Sequence, residues 1–88
     1  MRKIKQAKNV LVAEFPENKV ILNPKTHIPY ILNQTATEIW NFCEMPKTIK
    51  EIENFLCASY NVGKERSKKD SQKLVKGLIK IGLIKTYE

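Results

Sequence analysis

The sequence predicts an α+β domain in which a short antiparallel sheet precedes three helices. Three observations carry this prediction. Apolar residues alternate with their neighbours up to about residue 32, and from Asn33 onward they recur with a helical period of about 3.6. Turn-forming clusters at Pro16-Glu17-Asn18, Asn23-Pro24-Lys25, Met45-Pro46 and Asn61-Val62-Gly63 cut the chain where those segments should end. A length of 88 residues with 42% hydrophobic content suits one domain, residues 1–88, around a single modest core.

In the first predicted strand Val10, Val12 and Glu14 alternate with Leu11, Ala13 and Phe15, and Lys19-Val20-Ile21-Leu22 continues the hairpin after the proline turn. Pro24 suits the first central position of a β-turn, so His27 to Leu32 becomes the third strand of a meander. The first helix is expected over Gln34 to Cys43, with Ala36, Ile39, Trp40 and Cys43 as its apolar stripe, Trp40 as a core anchor, and Thr35 and Glu38 at capping-box spacing. Pro46 bars its continuation. Thr48 and Glu51 repeat the capping-box spacing ahead of Ile49, Ile52, Phe55, Leu56 and Tyr60, which form the second helix. The third runs from Lys64 to Ile81, with Leu74, Val75, Leu78, Ile79 and Ile81 as its apolar face and Gly82 as its stop. Residues 1–8 precede any periodic segment and read as a flexible basic tail. A meander joined to three helices, two of them linked by a short turn, is winged helix-turn-helix-like.

The formal charge is +7, and it sits at the two ends of the chain. Arg2, Lys3, Lys5 and Lys8 precede the first strand, and residues 63–88 carry eight basic against three acidic residues. An anionic partner is therefore favoured over a cationic one. No apolar run approaches the roughly 18 residues that span a bilayer, and no signal-peptide apolar core follows the N-terminal lysines, so a cytoplasmic location with no membrane partner is expected. Cys43 and Cys57 lack CxxC spacing and point to reduced thiols, not to a disulfide framework or a metal site. His27 is the only histidine, the cysteines have no evident base, and no phosphate-binding loop or hydrolase motif is present. Glu51 and Glu53 are two apart and cannot share a helix face. The expected function is non-catalytic, without a cofactor.

Two binding surfaces remain. On the third helix Arg66, Lys69, Lys73, Lys76 and Lys80 recur at spacings of three and four and stack on one face, opposite the apolar one. That stripe is a solvated face or the phosphate contact of a basic winged-helix DNA-binding protein, the alternative function; it lacks the interspersed Asn, Gln, Ser and Thr that read base edges. The second surface is the open edge of the sheet, where an extended peptide can add as a further strand. Pro29 removes one N–H there and fits only if its missing donor points to the open side, which His27 and Ile31 then share.

The order and spacing of Leu32-Asn33, Thr35-Ala36, Ile39-Trp40, Thr48, Ile52, Leu56, Tyr60, Val62, Asp70, Leu74, Leu78 and Gly82-Leu83-Ile84 resemble the PqqD-like family, over about residues 9–85. Members of that family are leader-peptide recognition elements in the biosynthesis of ribosomally synthesised, post-translationally modified peptides. The resemblance implies an adaptor that binds the leader of a precursor peptide along the third strand, in the groove beside the third helix. It implies presentation to a separate maturation enzyme, such as a radical enzyme, a cyclase or a protease. Carried onto this chain, the peptide-binding positions are His27, Ile28, Pro29, Tyr30 and Ile31 on the strand and Asp70, Lys73, Leu74 and Gly77 on the helix. Ile28, Tyr30 and Leu32 are expected to face the core, nucleic acid is not the expected partner, and strand exchange through the open edge would give a homodimer. The chain departs from the family in carrying Met45-Pro46 where a glycine turn is common.

Overall fold

The computed structural model describes residues 2–16, 18–61 and 63–87, so Glu17 of the first turn and Val62 of the last break lie outside the described residues. The elements are β1 (Lys3–Gln6), β2 (Leu11–Glu14), β3 (Lys19–Asn23), β4 (Ile28–Leu32), α1 (Gln34–Phe42), α2 (Ile49–Tyr60), α3 (Lys64–Lys80) and β5 (Ile84–Tyr87). The predicted meander is the antiparallel sheet β2-β3-β4, and the predicted three helices follow it. Pairs such as Val12 with Ile21 and Ile21 with Tyr30 set its register. A second sheet, β1 with β5, was not expected from the sequence.

That second sheet corrects the reading of residues 1–8 as a flexible tail. Ile4 and Ala7 are buried at 4% and 8% exposure, and this apolar anchoring holds the segment although lysines surround it. The backbone is tied on both sides. Lys3 to Gln6 pair with Ile84 to Tyr87, while the Ile4 and Lys47 amides each donate to the other's carbonyl, at 2.6 and 2.8 Å. The Gln6 N–H donates to the Cys43 carbonyl at 2.9 Å and its side chain to the Trp40 carbonyl at 2.7 Å.

Two of the three helix starts carry a side-chain cap, one predicted and one corrected. Thr48 and Glu51 make the capping box: the Glu51 N–H donates to Thr48 Oγ1 at 3.1 Å and the Thr48 N–H to Glu51 Oε1 at 2.8 Å. These bonds hold the Glu51 carboxyl below the usual carboxylate range, the Thr48 backbone donor being the main cause. In α1 the cap is Asn33, not Thr35; Asn33 Oδ1 accepts from the Ala36 N–H at 2.9 Å, which leaves Thr35 inside the first turn. Gly82, at φ +80°, follows the end of α3 as expected, since a left-handed residue is cheapest as glycine.

The core joins both sheets to all three helices through Ile4, Ile21, Leu32, Ile39, Trp40, Ile52, Leu56, Val75, Leu78, Leu83 and Ile84. Burying each large member contributes about 1.5–3 kcal/mol. Trp40 anchors it as expected, with its indole N–H donating to the Leu83 carbonyl at 3.0 Å. Cys43 is fully buried, and desolvation pushes its thiol up to about 11, so it remains a protonated core residue. On α3 the buried stripe is Ser67, Ser71, Val75 and Leu78. Two small serines let α3 approach α2, and the Ser67 hydroxyl donates to the Glu53 carbonyl at 2.5 Å. The buried stripe is turned accordingly, and Ile79, expected in the core, is left exposed.

Candidate functional site

β4 is an outer strand of its sheet, and the register fixes which of its groups point outward. The Phe15 N–H donates to the Asn18 carbonyl at 2.8 Å, so Asn18 faces β2. Successive residues of a strand direct their polar groups to opposite sides. Along the central strand, Val20 and Leu22 therefore bond toward β2, while Lys19, Ile21 and Asn23 bond toward β4. Their partners Leu32 and Tyr30 bond inward, while at the turn end the Ile28 N–H donates to Thr26 Oγ1 at 3.4 Å. Pro29, opposite Leu22, thus has its missing donor on the open side, the only placement that costs no ladder bond. The groups left to the outer edge are the Pro29 carbonyl and the Ile31 N–H and carbonyl.

Side chains alternate as well. Leu32 is buried and Tyr30 half-buried on the inner face, whereas Ile31 on the outer face is 70% exposed. Ile28, expected to face the core, is exposed because it lies at the turn end of the strand, farthest along it from α1. The strand also starts later than expected. Thr26 and His27 belong to a turn held by the Asn23 carbonyl, which accepts from both amides at 3.2 and 2.9 Å, and His27 adopts φ +57°.

Next to the strand's exit into α1 lies a groove of about 790 Å³. Asn33 and Thr35 close it at the start of α1, Leu56 and Tyr60 of α2 form one wall, and α3 forms the other through Arg66, Ser67, Asp70, Lys73, Leu74, Gly77, Leu78 and, just past its end, Ile81. Its floor is apolar. Its rim is polar and carries two basic residues, Arg66 and Lys73, and one acidic residue, Asp70, with Arg66 and Asp70 in a 3.6 Å ion pair whose exposure makes it worth little. The Tyr60 hydroxyl donates to the Glu38 carboxylate, which raises the phenol above its usual range and keeps it a neutral donor. Gly77 stands out on this wall. It lies in the last turns of α3, where glycine costs roughly 0.5–1 kcal/mol relative to alanine.

All four helix positions expected from the sequence, Asp70, Lys73, Leu74 and Gly77, line this groove. None of His27, Ile28, Pro29, Tyr30 and Ile31 does; Asn33, the residue that follows β4, is where the chain leaving the strand reaches the groove. Asn33, Thr35, Leu56, Tyr60, Arg66, Ser67, Leu78 and Ile81 were not expected there. Leu56, Leu78 and Ile81 read in sequence as core positions, and a face shared by core and groove has no signature of its own. The basic stripe Arg66, Lys69, Lys73, Lys76 and Lys80 is exposed throughout, with Arg66 and Lys73 reaching the groove.

The chain is similar to known structures and matches one protein family. Among solved structures, the chain is similar to TbiB1 in complex with the TbiA(beta) leader peptide, at 25% identity and a TM-score of 0.82, over 96% of this chain and 98% of that one. It shares its fold with lasso peptide synthetase B1 complexed with a leader peptide, at 22% identity and TM-score 0.79, over 93% and 96% of the two chains. It also shares it with the PqqD truncation of Methylobacterium extorquens PqqCD, described as a stand-alone recognition element for ribosomally synthesised and post-translationally modified peptides, at 15% identity and TM-score 0.73, over 94% and 88%. A search of the curated proteins finds no match. Residues 18–84 match the family described as coenzyme PQQ synthesis protein D, and the chain therefore belongs to the PqqD family.

Proposed function

We propose that this protein is a peptide-recognition adaptor that binds the leader of a ribosomally made precursor by strand addition to β4 and presents it to a separate maturation enzyme. The observation that carries the proposal is the outer edge of β4. Its Pro29 carbonyl and Ile31 N–H and carbonyl face outward, free to pair with an added strand, and the strand leads through Asn33 to an apolar groove. A leader lying there places alternate side chains toward the groove and toward Ile31. Lys73 and Arg66 at the rim favour acidic residues flanking the bound segment, an effect on encounter rate and orientation more than on net affinity. The likeness to TbiB1, which at 25% identity is seen in complex with a leader peptide, supports a leader as the partner class. No helix among the described residues is long and apolar enough to cross a membrane.

The test is a backbone-amide NMR titration of labelled protein with the leader of the precursor encoded nearest its gene, and in parallel with duplex DNA, at low and moderate salt. Peptide-induced shifts concentrated on residues 28–33 and on the Asp70, Lys73, Leu74 and Gly77 flank, persisting in salt, are the expected result. Shifts with DNA alone, spread along the lysine stripe and erased by salt, overturn the proposal in favour of phosphate binding.

A further inference from the structure

We infer that Gly77 is a specificity-determining residue: its missing side chain leaves a notch in α3 that receives one bulky apolar side chain of the bound peptide. The inference rests on the peptide-binding reading of the groove and assigns one part of it.

The fold itself does not ask for glycine at this position. A Cβ built on Gly77 meets nothing within 4 Å, so no neighbouring element approaches too closely for alanine. The conformation is helical and not left-handed, and its carbonyl accepts from the Ile81 N–H at 3.2 Å in an ordinary helical bond. The contrast with Gly82 is direct, because that residue sits at φ +80° with Asn23 Nδ2 only 3.3 Å from where a Cβ would be. Helix propensity alone therefore disfavours Gly77, and nothing in the packing compensates. What its missing side chain does open is the groove. Gly77 is exposed, lies one turn from Leu74 and from Ile81, and shares the groove wall with both. These two half-buried residues flank a bare stretch of helix backbone, and Leu56 lies in the opposite wall. An apolar side chain descending between them meets carbon on its flanks and backbone at its tip, a contact that any side chain at position 77 would shorten.

Stability and binding should then respond to one substitution with opposite signs. Gly77→Ala is expected to raise the melting temperature by about 2–6 °C, because it removes a helix-disfavouring residue without a clash. Affinity for peptide should fall roughly tenfold, and further with Gly77→Leu. The probe is a phage-displayed library of random 20-residue peptides selected on wild-type protein. Each enriched peptide is measured against wild type and Gly77→Ala, and again with its conserved bulky residue replaced by alanine, which closes a double-mutant cycle. A penalty from Gly77→Ala that disappears when the peptide residue is truncated establishes the notch. Equal binding by both proteins overturns it while leaving peptide recognition standing. A lowered melting temperature also overturns it, by showing that the fold needs the glycine. If wild-type protein enriches no peptide, the leader-binding reading fails and this inference with it.

Discussion

β1 and β4 are short strands of similar length, yet one is closed on both sides and the other on only one. β1 has four residues and bonds to β5 along one edge and to Lys47 and Cys43 along the other, with Ile4 and Ala7 sealed into the core. β4 has five residues, pairs with β3 alone among the described strands, and leaves Ile31 70% exposed. An unpaired strand edge is a liability that proteins usually cover. Here the region with the stronger basic charge and weaker apolar pattern is covered, and the strand with the clearer β signature is left open. The difference separates the part of the molecule that maintains the fold from the part available to a partner.

The largest effects should come from substitutions that violate this division. Tyr30→Pro removes a donor that faces β3 and should cost on the order of 4 kcal/mol, including the lost packing of the ring, whereas Ile31→Pro removes a donor that faces outward and should cost less than about 1 kcal/mol. Urea denaturation of the two variants measures the contrast, and equal losses would show that the bonding phase of β4 is misassigned. Ile4→Ala should follow at about 3 kcal/mol, as expected for a buried isoleucine. A loss under about 0.5 kcal/mol would return residues 3–6 to the status of a dispensable tail.

The capping box of α2 gives a smaller effect with a defined pH dependence. Thr48→Ala should cost about 1 kcal/mol at neutral pH. The folded-state pKa of Glu51 is depressed, so the unfolded chain takes up this proton first on acidification. Its stabilisation is thus fully present above the ordinary carboxylate value of about 4.3 and is lost as pH falls through the lower folded value. Comparing urea midpoints at neutral and acidic pH for wild type and Glu51→Gln checks the sign: this component of the acid loss should be missing from the variant.

What the sequence made legible follows the same division. The meander, the three helices and the Trp40 anchor rest on patterns that repeat several times within one element, the α2 cap rests on the Thr48–Glu51 spacing, and the helix side of the groove rests on the resemblance to the PqqD-like family. β1 and β5 show no repeating pattern. In Lys3–Gln6 a single buried isoleucine stands among polar residues, too short a run to show a period, and its partner strand lies at the opposite end of the chain. Lys19 was equally hidden. A lysine on the inner face of a strand reads as an error in the alternation, yet it is 7% exposed because its ammonium meets Asn41 Oδ1 at 2.7 Å, Glu14 Oε1 at 3.0 Å and the Trp40 ring at 5.3 Å. Ser67 and Ser71 were missed for a related reason. Small polar residues carry no hydrophobic signal, although they decide how closely α3 packs on α2.

Amide hydrogen exchange at Ile31, with and without the leader peptide, tests the central claim most directly. In the free protein the Ile31 N–H should exchange fast while those of Tyr30 and Leu32 are protected, and saturating peptide should slow Ile31 by at least the tenfold or so that a new strand bond of about 1.4 kcal/mol confers. Slow exchange at Ile31 before any peptide is added, or unchanged exchange once the peptide is bound, would contradict strand addition at this edge.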